Sequence, residues 1–199
     1  MTVFRSDEDR NKYLRFIREE TTRFGVEIIA WCLMTNHVHF VAVPSQEAAL
    51  ARAFGEAHRR FTCARNLEDN VRGYLFQGRF GSCVLDEDHL LAAVRYVELN
   101  PVRAGIVEKA WEYPWSSSRF HIGLNDADPL VKDPSIMGLT IDWQGFLLSE
   151  RDNLNDTLRR ATKTGRPAGN ATFMEKVEQI TNRNLGYGKK GRPRKNIEK

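Results

Sequence analysis

Residues 26–43 read VEIIAWCLMTNHVHFVAV, two apolar runs hinged on Thr35-Asn36. The first run, 26–34, is β-branched and aromatic and predicts a strand. Thr35-Asn36 predicts a tight turn, and 37–43 a second strand paired with the first. Side chains alternate faces along a strand, so His37 and His39 point the same way, their Cβ atoms about 7 Å apart. Two imidazoles so arranged can share one metal ion, histidine being the commonest metal ligand. They can equally be a surface pair on a half-exposed sheet. Zinc would ask for further Cys or His at short spacing. Cys32, on the preceding strand, has no such companion. A metal at this pair therefore implies an open site completed by an oxygen donor.

Helices flank the two strands. Ser6 followed by Asp7, Glu8 and Asp9 is a capping hydroxyl with acids against the positive end of a helix dipole. Tyr13, Leu14, Phe16 and Ile17 carry that helix to Gly25, which stops it. From Gln46 to about Asn66 the apolar residues Leu50, Ala53, Phe54, Ala57, Phe61 and Ala64 recur at helical steps. A glycine-punctuated loop leads to a strand expected over Arg79–Leu85. Asp86 then caps a helix that Pro101 should end. One short helix at most is expected within 110–123, mostly loop over 124–142, and helices over Trp143–Ala161 and Ala171–Leu185. The ordered part runs α-β-β-α-β-α, an α+β pattern one leading strand short of a βαββαβ ferredoxin-like unit.

The 199 residues hold 41% hydrophobic and 28% charged side chains, which excludes a chain disordered throughout. No apolar run reaches membrane-span length and the N-terminus has no signal-peptide pattern. Three cysteines, Cys32, Cys63 and Cys83, without CxxC spacing make neither a disulfide framework nor a zinc ribbon, so a reducing cytoplasm is expected. Residues 159–199 carry 12 Lys/Arg against 3 Asp/Glu, a net of +9, whereas 1–158 carry a net of −5. An acidic body with a basic tail points to a polyanion partner, most often nucleic acid, or else to a solvated tail that aids solubility.

An oxygen donor for the histidines can come from the helix that Asp86 starts. Tyr96 and Asn100 are four apart and share one helical face. A carboxamide oxygen is a hard ligand suited to magnesium or manganese. A phenol is a weak nucleophile at neutral pH unless a base or a cation helps it. The alternative is that Tyr96 packs in the core and Asn100 merely terminates the helix before Pro101.

Here the residues carry a family likeness. MTNHVHF (34–40) resembles the HUH motif, and RYVELNPVRAG (95–105) the tyrosine-helix signature of single-tyrosine, IS200-like transposases. LFQGRF (75–80), PWSS (114–117) and a tail with TGRP and KKGRPRK resemble the REP-associated tyrosine transposases of bacteria in particular. The likeness implies a ferredoxin-like HUH domain over 1–123, a helical extension over 124–185 and a disordered basic tail over 186–199. It implies that Tyr96 is the nucleophile, and that His37 and His39 hold a divalent metal (magnesium or manganese) with Asn100 as third ligand. The implied chemistry is cleavage and rejoining of single-stranded, hairpin-bearing DNA through a 5′-phosphotyrosine, without a nucleotide cofactor. The implied setting is the cytoplasm, near the nucleoid and away from membranes, with the protein a monomer or homodimer. Other readings are a relaxase-like or replication-initiator-like HUH nicking enzyme and a catalytically silent DNA-binding remnant.

The pattern departs from the family at its start, where MTVFRSDEDR corresponds to the loop after the family's first strand. In a ferredoxin-like sheet that strand is interior, so its loss exposes two strand edges. Expected DNA contacts are Arg79, the Arg59-Arg60 pair, and Lys189, Lys190, Arg192, Arg194 and Lys195 of the tail, where Gly-Arg-Pro is the core of an AT-hook. Such arginines can also be solvated surface charge. If the tail neutralises phosphates, deleting 186–199 will make the salt dependence of DNA binding shallower, by nearly one unit of slope for each phosphate no longer neutralised. Cleavage at saturating DNA will survive, and an unchanged slope would make the tail a bystander.

Overall fold

A computed structural model describes residues 2–78, 80–140, 142–149 and 155–185. Helix α1, Asp7–Phe24, starts where Ser6 accepts the Asp9 N–H and ends at Gly25, whose φ of 67° only a residue without Cβ adopts freely. Strands β1, Val26–Leu33, and β2, Val38–Pro44, pair antiparallel, with Trp31 opposite Phe40 and Cys32 opposite His39. A bulge between Ile28 and Ala30 re-aims β1. It puts Ile28 on one face and Ile29 with Ala30 on the other, so the sheet carries a core on each side.

On the first face, β1 packs against α1 and α2, Ala49–Glu68, around Phe4, Tyr13, Ile17, Trp31 and Phe61. Ion pairs lock the two helices together: Arg65 with Asp9, Arg60 with Glu19 (2.6 Å) and Glu20 (2.5 Å), and Arg5 with Asp69. On the second face lies α3, Leu90–Glu98, entered through a tight turn over 87–89 that the Asp86 carboxylate caps. The second core adds Trp143 and Leu147 from α6, Trp143–Leu148, and Leu158 and Ala161 from α7, Asn155–Thr164. The outer edge of β1 is covered by the PWSS segment: Leu33 N–H donates to Trp115 O (2.8 Å) and Ser117 N–H to Trp31 O (3.0 Å).

The α+β expectation holds, but the described residues form a sheet of two strands, not a completed ferredoxin-like sheet. No strand forms over 80–85. Phe80 packs on Phe54, and the backbone at Val84 and Asp86 pairs with Ala168, so this stretch meets a later loop and not the sheet. Nor does Pro101 end the helical path. It sits in the first turn of a short helix α4, Asn100–Arg103, where its missing N–H interrupts no bond within α4. A second short helix, α5, Ser118–His121, follows the turn at 110–112. The single helix expected over 143–161 is two, because the chain turns extended at Ser149. The last helix, α8, Ala171–Thr181, stops at Asn182 in the left-handed conformation, earlier than the expected Leu185.

Phe76 and Phe80 of LFQGRF are tied down by aromatic contacts. Phe76 stacks on His58 at 4.1 Å, and His58 Nε2 shares a 2.9 Å hydrogen bond with the Tyr13 hydroxyl. Burial pushes the His58 imidazole down to about 4, so the folded ring stays neutral where an unfolded one is protonated. As pH falls from about 6.5 towards 4, the unfolded chain therefore gains a proton that the folded chain does not, and stability drops. We expect wild type to lose about 2 kcal/mol more than His58→Phe between pH 7 and pH 5. Urea midpoints at the two pH values check this, and equal losses would show that His58 is not the titrating group.

Candidate active site

His39 faces α3 because its partner Cys32 does, and His37, in the turn just before β2, leans over it. The two rings lie 4.8 Å apart, centroid to centroid, and nearly perpendicular. His37 is exposed and His39 half-buried. Asn36 Oδ1 lies 2.7 Å from His37 Nδ1, which assigns the proton to Nδ1 and leaves Nε2 as a bare acceptor. Burial lowers the pKa of His37 and pushes His39 down to about 4, with His37 and Arg103 adding smaller electrostatic contributions at His39. Both rings are therefore neutral at physiological pH, the form in which an imidazole binds a metal.

Helix α3 brings Tyr96 to the pair, its ring 6.0 Å from His39 and perpendicular to it. The chain leaves helical register at Leu99, and Pro101 offers no N–H to Val97 O. The Asn100 carboxamide fills that gap, its nitrogen donating to Tyr96 O (3.0 Å) and Val97 O (3.2 Å). Asn100 thus terminates the helix, as one of the two readings of this residue holds, and keeps its Oδ1 for another partner. Arg103 completes the group. Its guanidinium donates to Tyr96 O and lies 4.2 Å from the centre of the Tyr96 ring. Sequence reasoning passed over Arg103. Its spacing of seven from Tyr96 held no signal by itself, because the helix breaks at Leu99 and restarts as α4.

Among the described residues no group of three or more His, Cys, Asp or Glu converges on a metal position. The two neutral imidazoles are donors that fit an open divalent site completed by oxygen ligands better than a closed structural one. Two concavities, of about 320 and 540 Å³, lie elsewhere, around Trp31, Trp115 and Asp128 and around Phe120 and Lys132. The histidine pair is not enclosed on all sides, since His37 is exposed to solvent.

Other expected contacts fall differently. Arg59 makes a two-pronged pair with Glu56 (2.8 and 2.5 Å), and Arg60 is held by Glu19, Glu20 and the Phe16 ring. Their charge is matched within the chain. Arg79 and the tail residues Lys189, Lys190, Arg192, Arg194 and Lys195 lie outside the described residues. No helix among the described residues is long and apolar enough to cross a membrane.

No protein of curated function matches the sequence. The fold is similar to the solved structure of a REP-associated tyrosine transposase bound to a REP hairpin, with a TM-score of 0.52 at 19% identity over 64% of this chain and 76% of that one. A family model for IS200-like transposases matches residues 1–100, the half that carries β1, β2, both histidines, Tyr96 and Asn100. By that match the chain belongs to the IS200-like transposases.

Proposed function

We propose that this transposase cleaves and rejoins single-stranded, hairpin-bearing DNA with Tyr96 as nucleophile. The observation that carries the reading is the Tyr96 ring standing 6.0 Å from His39, on the surface where two neutral imidazoles converge. The Tyr96 oxygen forms a bond to the scissile phosphorus as the bond to the 3′-oxygen breaks, and the phenolic proton passes to that leaving oxygen. A 5′-phosphotyrosine and a free 3′-hydroxyl result. One phosphodiester replaces another of similar energy, so reversal needs no nucleotide cofactor. His37, His39 and Asn100 Oδ1 are the residues that would hold magnesium or manganese. When bound, such an ion supplies Lewis-acid charge for a non-bridging phosphate oxygen. The Arg103 guanidinium brings a permanent positive charge to the Tyr96 side of the site, where negative charge develops during attack. The hairpin seen with the structural neighbour motivates the choice of substrate here, palindromic repeats being the source of such hairpins.

A silent DNA-binding remnant is the second reading, and the observation behind it is the two-stranded sheet with the stretch 80–84 unpaired to it. Trapping of a covalent protein–DNA adduct separates the two. Tyr96→Phe will abolish adduct and cleavage on a hairpin oligonucleotide while leaving its affinity nearly unchanged, since only a hydroxyl is removed. Cleavage by that variant at the wild-type rate would remove Tyr96 from the chemistry. His39→Ala, or excess chelator with wild type, will stop cleavage while the protein stays folded, and unaffected activity in chelator would make the pair structural. Arg103→Ala will slow cleavage at saturating DNA by about 100-fold. A purely positional role for the guanidinium on Tyr96 O would instead show itself as reduced thermal stability at an unchanged rate.

A further inference from the structure

PWSS has no part in the chemistry above, yet its second serine sits at the centre of a closed polar cluster. Glu98 is fully buried, as is Ser117; His121 and Trp143 are 2% and 5% exposed. The Glu98 carboxylate accepts from Ser117 Oγ (2.7 Å) and His121 Nδ1 (2.5 Å) on one oxygen, and from Trp143 Nε1 (3.2 Å) on the other. Ser117 in turn accepts the Trp31 N–H (3.1 Å) and donates its own N–H to Trp31 O (3.0 Å). Among the described residues His121 Nε2 makes no hydrogen bond, while Nδ1, 2.5 Å from the Glu98 carboxylate, carries the proton of that contact. The trio is no hydrolytic triad, for the serine hydroxyl donates to the carboxylate and not to the histidine, and solvent reaches none of them.

Glu98 follows Tyr96 by two residues, about 200° around the helix, so the two project from opposite sides of α3. Trp31 lies opposite Phe40 in the ladder, next to the Cys32–His39 pair. A continuous path of directed bonds thus runs from the back of the tyrosine helix through Ser117 into β1, and across one rung to the histidines. Such a cluster is a poor source of net stability. Burying a carboxylate carries a desolvation penalty that its three donors do little more than offset, and well-packed apolar residues of the same volume serve as well. What directed bonds add is a single allowed register of helix against sheet, which apolar packing leaves adjustable.

We propose that Glu98 is a positioning residue for strand cleavage: held by Ser117, His121 and Trp143, it sets where α3 sits on β1, and thereby where the Tyr96 hydroxyl stands relative to His37 and His39. The inference rests on Tyr96 being the nucleophile. It is tested by single-turnover cleavage of a saturating hairpin oligonucleotide in manganese, reading both the rate constant and the amplitude of covalent adduct. Ser117→Ala breaks the bridge to β1, and Glu98→Gln keeps the volume while disturbing the donor pattern. Both will lower the rate constant about 10- to 100-fold, with the amplitude and the affinity for the oligonucleotide at wild-type values, as a small displacement of a reacting group does. A loss confined to amplitude, up to no folded protein at all, overturns the proposal and makes the cluster a folding element only. So does an unchanged rate constant. If wild type forms no adduct at Tyr96, the nucleophile assignment fails instead, which peptide mapping of the wild-type adduct reads separately.

Discussion

The register of β1 against β2 is the constraint on which the molecule depends. Pairing Cys32 with His39 sends both toward α3, while Trp31 and Phe40 enter the core beneath α1 and α2. A slip of one residue would turn the histidines into that aromatic core and put Phe40 in front of Tyr96, because side chains alternate with a period of two. Three features oppose the slip: the short turn at 35–36, the bulge at Ile29, and the backbone bonds from PWSS to the outer edge of β1. The PWSS bonds engage the backbone of Trp31 and Leu33, the residues flanking Cys32, so the same stretch of strand is held from both sides.

The end of α3 shows how one local defect serves several needs. Proline cannot donate to Val97 O, and Asn100 answers with its own carboxamide, which aims the amide back at the helix. The chain resumes at once as α4, and this second turn delivers Arg103 onto the ring of Tyr96. An uninterrupted helix would have carried position 103 along a straight axis. The break folds it back over the phenol while Asn100 Oδ1 stays unused by the helix. The tyrosine, the carboxamide and the cation thus come from eight consecutive residues, 96–103.

Charge is handled differently on the two faces of the sheet. Between α1 and α2, arginines and acids neutralise each other at the rim of an aromatic core, which absorbs Arg59 and Arg60 into internal pairs. Behind α3 a carboxylate is buried among three side-chain donors, a serine, a histidine and a tryptophan. At the front, two imidazoles kept neutral by burial stand beside an exposed arginine. The front therefore presents a guanidinium beside uncharged ring nitrogens, a pairing that neither the helix rim nor the buried cluster provides.

Much of this was legible in the residues alone, and for one reason: the features that read correctly are local. The Ser6 cap and Gly25 stop of α1, the two strands and the convergence of His37 and His39 follow from periods of 3.6 and 2 and from turn chemistry. What failed was decided by partners distant in sequence. The stretch 80–85 has strand composition, but its backbone meets Ala168 and not the sheet. Pro101 looked like an end and became the start of another turn, because Asn100 supplies the missing donor. The ion pairs of Arg60 with Glu19 and Glu20 of α1 also lay beyond any local reading, whereas Arg59 pairs with Glu56 three residues away on its own helix. Glu98, Ser117 and His121 gave no sign of belonging together, since 19 residues separate the first two and only the closure of PWSS on β1 makes them neighbours. Spacing along the chain determines which side chains share a face; which faces meet is determined by burial of the two cores, and that is a property of the tertiary structure alone.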